Sequence, residues 1–203
     1  MLKSGAYDFI AKPFSSERLA ASVSRALEKR RLVLENRGLR EEALKAQAAW
    51  PIIGASHVMT DLRSRLKQIA EADVDTLIEG EMGVGKELAA RALHALGPRR
   101  DHRFVTVSCA ALPAENIESE LFGHELGAFN GAVRTRVGLI EYADRGTLFL
   151  DDVDALPPAS QARLLRVVAE REVTRLGTNE TRPINVRFVA ATTLGLTQAL
   201  DTG

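Results

Sequence analysis

The sequence predicts an α/β fold in which a parallel sheet is flanked by helices. From Ile52 onward, segments typical of strands and of helices alternate along the chain, which is the pattern of a parallel sheet covered by helices. A glycine-rich loop follows the first of these strands and opens a helix. A later apolar strand ends in two adjacent aspartates, so that the chemistry is expected at the strand ends.

Apolar runs and turn residues set the bounds of each element. The predicted strands cover residues 74–79, 104–108, 147–150 and 186–192. The predicted helices between them cover residues 57–70, 86–96 and 159–171. The chain has no internal repeat and no low-complexity tract.

The start of the chain predicts a short strand and then a long helix. Residues 5–14 spell GAYDFIAKPF, an apolar stretch closed by a Lys-Pro pair, which favours a strand that ends in a turn. No Pro or Gly interrupts residues 17–37, and Ser15 or Ser16 can cap a helix there. The linker and the entrance to the next domain are marked by Gly38, Trp50 and Pro51.

Two functions remain open for this long helix. Leu27 and Leu34 are seven residues apart, which favours the pairing of two such helices, but Arg30 and Arg37 fall on the same stripe. A solvated, charged helix between two domains fits the same residues.

The composition indicates in which compartment the protein works and which partners it can bind. The 203 residues hold 45% apolar and 27% charged residues, and Lys plus Arg equals Asp plus Glu, so no net positive charge favours DNA binding by this segment. Cys109 is the only cysteine, which excludes an internal disulfide and fits a reducing compartment. No apolar run approaches a membrane span, and the first residues lack the order of a signal peptide. We therefore expect a cytoplasmic protein.

The glycine-rich loop predicts a phosphate-binding site. It matches the pattern G-x-x-x-x-G-K between a strand and a helix, where backbone amides and the helix N-terminus point donors at phosphate. A turn that only joins strand to helix is the alternative. The expected nucleotide contacts are Gly80, Glu81, Gly83, Val84, Gly85, Lys86 and Glu87.

The two aspartates predict a magnesium ligand and a base. Asp151 would hold Mg²⁺ through water, and Asp152 stands where a general base could orient and deprotonate the attacking water. The alternative is a pair of acids that cap the turn before Pro157.

The segments ELFGHE (residues 120–125) and GAFNGA (residues 127–132) resemble the loop of sigma-54-dependent transcription activators, a branch of the AAA+ ATPases. The stretches SCAALP, GTLFLDD and LLRVVAEREVTRLG also correspond, and the match runs from Ile52 to about Leu194. GTNETRPINVRFVAA is most similar to the subgroup that regulates C4-dicarboxylate transport. The resemblance implies an AAA+ P-loop NTPase core that uses ATP and Mg²⁺ and is incomplete at its C-terminus.

In that family the GAFNGA loop engages sigma-54 in the RNA polymerase holoenzyme when ATP is bound. The loop residues are Gly127, Ala128, Phe129, Asn130, Gly131 and Ala132. A surface loop in which Phe129 merely packs inward is the alternative. The family also implies a homo-oligomeric ring, and DNA contact only through a helix-turn-helix domain beyond residue 203, where the arginine fingers, the last core strand and the helical lid are also expected.

The segment GAYDFIAKPF similarly resembles the last strand of a response-regulator receiver domain. Lys12 would contact the phosphoryl group there, and Phe9 would be the switch aromatic. The implied organisation is a receiver remnant at 1–16, a linker helix at 17–50 and the ATPase domain at 51–203.

Four residues depart from the family pattern. Asp152 replaces a Glu, Ser108 replaces the Asn that restrains it, and Thr193 replaces a sensor Asn. Asn130 replaces the Thr of the loop. The first three predict slow hydrolysis, so two functions stay open: an ATPase motor that remodels polymerase, or a nucleotide-gated assembly module that barely hydrolyses.

Overall fold

The computed structural model describes residues 15–48 and 52–193. The chain divides into two compact units at Gln47. The predictions for Phe9, Lys12, Trp50 and Pro51 lie outside the described residues.

A single long helix, α1 (Ser16–Ala48), is the described part of the first unit. It passes through Gly38 and covers most of residues 17–50, the range of the predicted linker helix. A glycine inside a helix costs about 1 kcal/mol relative to alanine, which a helix of 33 residues tolerates. Leu19, Val23 and Leu27 are exposed along it.

The second unit is the predicted α/β domain. Its helices are α2 (His57–Ala72), α3 (Lys86–Leu96), α4 (Ala114–Phe122), α5 (Leu139–Tyr142) and α6 (Pro158–Glu170). Its strands are β1 (Thr76–Glu79), β2 (Phe104–Ser108), β3 (Gly123–His124), β4 (Arg136–Val137), β5 (Thr147–Asp151), β6 (Glu172–Thr174), β7 (Thr181–Pro183) and β8 (Arg187–Thr192).

Four parallel strands form the main sheet in the order β1-β8-β5-β2. The central strands β5 and β8 are buried along almost their whole length, as expected for strands covered on both faces. Strand β1 begins at Thr76 rather than at the predicted residue 74. The carbonyl of Val74 instead accepts hydrogen bonds from the Thr76 hydroxyl and from Arg187, so it does not join the ladder.

Two apolar cores lie on the two faces of this sheet. On one face Phe149 and Val189 pack with Leu66 of α2 and Leu93 of α3. On the other, a larger core joins the remaining apolar residues of β5 to α4 and α6, including Leu148, Leu150, Ile117, Leu121 and Leu164. Neighbouring residues of a strand point to opposite faces, and the predicted parallel sheet flanked by helices is therefore confirmed.

Two small antiparallel pairs were not predicted. Strands β3 and β4 close the base of the segment that carries GAFNGA, and β6 and β7 form a hairpin after α6. A two- or three-residue strand is too short to show an alternating pattern.

Candidate functional site

The glycine-rich loop lies between β1 and α3, as its sequence predicts. Gly83 and Gly85 adopt φ values of 80° and 96°, in the left-handed region where a side chain is disfavoured. A Cβ added at Gly83 would meet no atom within 4 Å. The loop thus curves around open space, with the N-terminus of α3 at its end.

Lys86 is the first residue of α3, and its ammonium is held by the loop. It donates to the carbonyl of Gly80 at 2.9 Å and to that of Glu81 at 3.1 Å. The next residue, Glu87, accepts two hydrogen bonds from Arg91 one turn later, at 3.0 and 2.7 Å. Lys86 thus places a positive charge at the loop, whereas the Glu87 carboxylate is already paired with Arg91.

The carboxyl ends of the four parallel strands bring the other predicted residues to the same edge. Ser108 and Asp151 are direct partners in the register of β2 and β5. The amide of Gly80 donates to Thr192 at the end of β8, and Thr193 follows there, exposed to solvent. The structure brings the glycine loop, the aspartates, Ser108 and Thr193 to one edge of the sheet.

Asp152 leaves the strand in a left-handed conformation, with φ 52°. It precedes a 3₁₀ turn (Val153–Ala155), and its side chain makes no capping hydrogen bond to that turn. The alternative that these acids serve to cap the turn before Pro157 is therefore not supported. Asp is one of the few residues other than glycine that tolerate this conformation.

Burial raises the pKa of Asp151, and the neighbouring Asp152 carboxylate raises it further. A backbone hydrogen bond and the Lys86 ammonium act in the opposite direction. Cys109 lies next to these acids, and burial together with the carboxylates of Asp151, Asp152 and Asp154 raises the pKa of its thiol to about 12. A thiol with that pKa stays protonated, which excludes it as a nucleophile at neutral pH.

An apolar cavity of about 560 Å³ adjoins the loop. Its walls come from β1, the glycine loop, α2, α3 and the segment before α2, and its polar lining residues are Glu79 and Lys86. The apolar lining residues are Ile52, Ile53, Met59, Leu62, Ile78, Val84, Leu88 and Ala89. Sequence reasoning missed this cavity because its walls come from five elements, which are the segment before α2, α2, β1, the glycine loop and α3.

The GAFNGA loop projects from the β3–β4 pair. The amide of Gly127 donates to Ala132 at 2.9 Å, which closes the loop, and Asn130 at its tip is exposed. Phe129 is 44% exposed, and its ring meets that of His124 edge to face at 5.0 Å. One side of the Phe129 ring therefore packs and the other faces solvent, and contact of this loop with sigma-54 stays a prediction.

A buried arginine joins this loop to the β6–β7 hairpin. Arg175 donates to Glu125 at 2.8 Å, beside the loop, and to both carboxylate oxygens of Glu141 in α5. The Thr135 hydroxyl and Arg175 together lower the pKa of Glu125. Sequence reasoning missed Arg175, because its partners lie 34 and 50 residues away along the chain.

Within the described ranges, no helix is long and apolar enough to cross a membrane. In the same ranges, no group of three or more His, Cys, Asp or Glu side chains is arranged to hold a metal ion by itself.

The model of the sigma-54 interaction domain family matches residues 52–203. The C4-dicarboxylate transport transcriptional regulatory protein DctD of Rhizobium meliloti is 56% identical over 96% of this chain and 42% of its own length. The DctD protein of Pseudomonas aeruginosa is 49% identical over 100% of this chain and 44% of its own. The chain thus spans less than half the length of these relatives.

Solved structures agree with these sequence matches. The structure of NtrX from Brucella abortus in complex with ATP is 35% identical, with a TM-score of 0.69, and covers 98% of this chain and 41% of that one. A further NtrX structure from the same organism gives a TM-score of 0.71 at 36% identity, over 98% of this chain and 42% of that one. Over residues 52–203 the chain belongs to the sigma-54 interaction domain family, on an AAA+ P-loop NTPase core.

Proposed function

We propose that this chain binds ATP with Mg²⁺ and serves as the central domain of a cytoplasmic, sigma-54-dependent transcription activator. The observation that carries the proposal is the glycine loop that opens α3 with Lys86, flanked by Asp151 and by an apolar cavity. NtrX, a structural relative, has been solved in complex with ATP.

The loop supports binding of the phosphates. A Cβ at Gly83 would meet no atom within 4 Å, so there is room beside that residue, and the N-terminus of α3 adds the positive end of a helix dipole. Lys86 would exchange its bonds to the Gly80 and Glu81 carbonyls for phosphate oxygens. The adjoining cavity of about 560 Å³ suits the base and ribose.

Asp151 and Asp152 fit a magnesium ion bound to phosphate. Mg²⁺ keeps several waters and needs only one or two carboxylates beside the phosphates, which agrees with two acids at the end of β5. When bound, the ion would neutralise charge on the terminal phosphates. Asp151 would hold its water ligands, and Asp152 would orient the attacking water.

Calorimetric titration of the chain with MgATP tests the proposal. Lys86→Ala should lower ATP affinity by at least about a hundredfold, because the loop loses its only mobile cation. Lys67→Ala is the matched control, since Lys67 is an exposed lysine of α2. Unchanged ATP affinity in a folded Lys86→Ala protein would remove the assignment.

The GAFNGA loop supports contact with sigma-54 in the polymerase holoenzyme. Leu126 and Val133 at its base are exposed, and Phe129 keeps one side of its ring in solvent. Exposed apolar groups clustered on a single projecting loop suit a protein partner.

The protein would also assemble as a homo-oligomer, and the exposed Leu19, Val23 and Leu27 of α1 support pairing of that helix. DNA would be contacted only by a further domain.

A second candidate is a nucleotide-gated module with little hydrolysis. Asp152 is shorter than the family's Glu by one methylene, and misplacing a catalytic group by about 1 Å can cost on the order of a hundredfold in rate. Ser108 and Thr193 lie at the same strand edge but lack an amide group.

Substitutions in a longer chain that includes the family's C-terminal parts distinguish the two candidates. Asp152→Glu, alone and with Ser108→Asn and Thr193→Asn, should raise kcat by up to about a hundredfold with little change in ATP affinity. If the unmodified protein already has a substantial kcat and Asp152→Glu lowers it, then Asp152, Ser108 and Thr193 together support hydrolysis. The second candidate would then be wrong.

A further inference from the structure

One wall of the apolar cavity is a short segment before α2. We call residues 52–54 the entry segment. Ile52 and Ile53 both line the cavity, yet Ile53 is 82% exposed, so packing alone holds it weakly. Gly54 adopts φ 149°, and a Cβ added there would lie 2.7 Å from the Cγ of Met59, another cavity residue.

Arg63 of α2 fastens this entry segment. Its Nη1 donates to the carbonyl of Gly54 at 2.7 Å and to that of Ile52 at 3.2 Å. Its Nη2 donates to the hydroxyl of Thr60 at 3.2 Å, which orients the guanidinium on the helix surface. The two accepting carbonyls flank Ile53, so a single planar group sets the position of that side chain.

We propose that Arg63 is a positioning residue for the nucleoside part of the ligand, an inference that rests on the proposed function. Arg63 does not line the cavity itself. It acts by holding Ile52 and Ile53 in place before the ligand arrives, so that their ordering does not oppose binding. The phosphate loop is held by separate contacts, those of Gly80 and Lys86.

This division of contacts makes a specific prediction. Losing Arg63 should weaken binding of the base and ribose and leave binding of the phosphates unchanged. Charge-assisted hydrogen bonds to two carbonyls are lost together, and we expect ATP affinity to fall by about tenfold.

The experiment compares MgATP with magnesium tripolyphosphate, which has the phosphates but no nucleoside. Arg63→Met keeps the length of the side chain and removes its donors, and Arg63→Lys keeps a charge that can reach one carbonyl. The matched control is Arg65→Met, because Arg65 is an exposed arginine on the same helix. Both ligands are titrated by calorimetry into the whole chain, and thermal melting reports folding.

The expected result is a loss of ATP affinity in Arg63→Met, a smaller loss in Arg63→Lys, and unchanged tripolyphosphate affinity in both. Because the two ligands are compared in one preparation, a misfolded fraction lowers the stoichiometry of both alike and leaves their ratio intact. Equal losses for both ligands, or no loss for either, would overturn the inference while the proposed function stands. If the unmodified chain binds neither ligand, the proposed function fails and the inference fails with it.

Discussion

The two ends of the parallel sheet are held in different ways. At the carboxyl end, the glycine loop curves around open space and Met82 and Val84 are exposed. At the amino end, Arg187 is 1% exposed and donates hydrogen bonds to main-chain carbonyls of α2, α3 and the segment before β1. The glycine loop at the carboxyl end is exposed, whereas the buried arginine at the amino end is bonded to main-chain carbonyls of three neighbouring segments.

More side chains join the amino end. Arg99 binds Asp73 at 2.9 Å and also the carbonyl of Asn185 at 2.7 Å, while Asp75 accepts from the amide of Phe188 and from Arg171. A rigid amino end can hold the strands in register while the loops at the other end rearrange around a ligand. Substitutions at the amino end should therefore lower stability and leave ATP affinity unchanged, whereas substitutions at the carboxyl end should mainly lower ATP affinity.

The largest expected effect is on stability, from Arg187→Met. Removing the guanidinium takes away its hydrogen bonds to the carbonyls of Ile69, Ala70 and Leu93, which should lower the free energy of unfolding by about 3–5 kcal/mol. Urea unfolding measures the loss, with Arg166→Met on the exposed side of α6 as the control. A loss of stability below about 1 kcal/mol, or weaker ATP binding in the folded variant, would contradict the proposed difference between the two ends of the sheet.

The next effect is a pH dependence from His94, which is 2% exposed and lies at the amino end beside Thr147. Burial, reinforced mainly by the charge of Arg187, lowers its pKa from 6.5 to about 4. Between pH 6.5 and about pH 4, His94 is protonated in the unfolded chain and neutral in the folded chain. Stability present above about pH 6.5 is therefore lost as the pH falls toward about 4, by up to about 3 kcal/mol.

Urea unfolding across this pH range, compared between the unmodified chain and His94→Gln, isolates the contribution. The variant should lose that part of the pH dependence. His57→Gln is the control, because the His57 side chain is 90% exposed. Equal pH profiles for the unmodified chain and His94→Gln would contradict the prediction.

The smallest effects come from a pair of glycines, one at each end. A Cβ at Gly146 would lie 2.2 Å from the carbonyl oxygen of Arg103, so Gly146→Ala should cost about 1–3 kcal/mol of stability. A Cβ at Gly83 meets nothing within 4 Å, so Gly83→Ala should cost about 1 kcal/mol through its positive φ alone. Its added methyl would stand in the phosphate loop and lower ATP affinity by about tenfold.

Thermal melting and calorimetry on both variants give the two readouts. The comparison is sharpened if Gly146→Ala melts earlier with normal ATP affinity, and Gly83→Ala loses ATP affinity with a smaller loss of stability. It is wrong if both variants lose stability and affinity in the same proportion.

Sequence alone predicted most of the sheet and its flanking helices. The strands β2, β5 and β8 were found nearly to the residue, because buried parallel strands are continuous apolar runs between turn residues. The long helix was predicted as a linker helix over residues 17–50, and it runs from Ser16 to Ala48 through Gly38, because a local glycine penalty does not outweigh a helix of this length. The β6–β7 hairpin was missed because three-residue strands carry no pattern.

The sequence by itself determined the glycine loop and its lysine, because the phosphate donors are consecutive backbone amides and their geometry is local. It also determined that two acids end a buried strand. Only the tertiary structure decided the strand order, the walls of the cavity, and the arginines that join distant segments. Arg187 reaches a carbonyl 118 residues away, and no local preference encodes such a contact, since it forms only when the whole chain has packed.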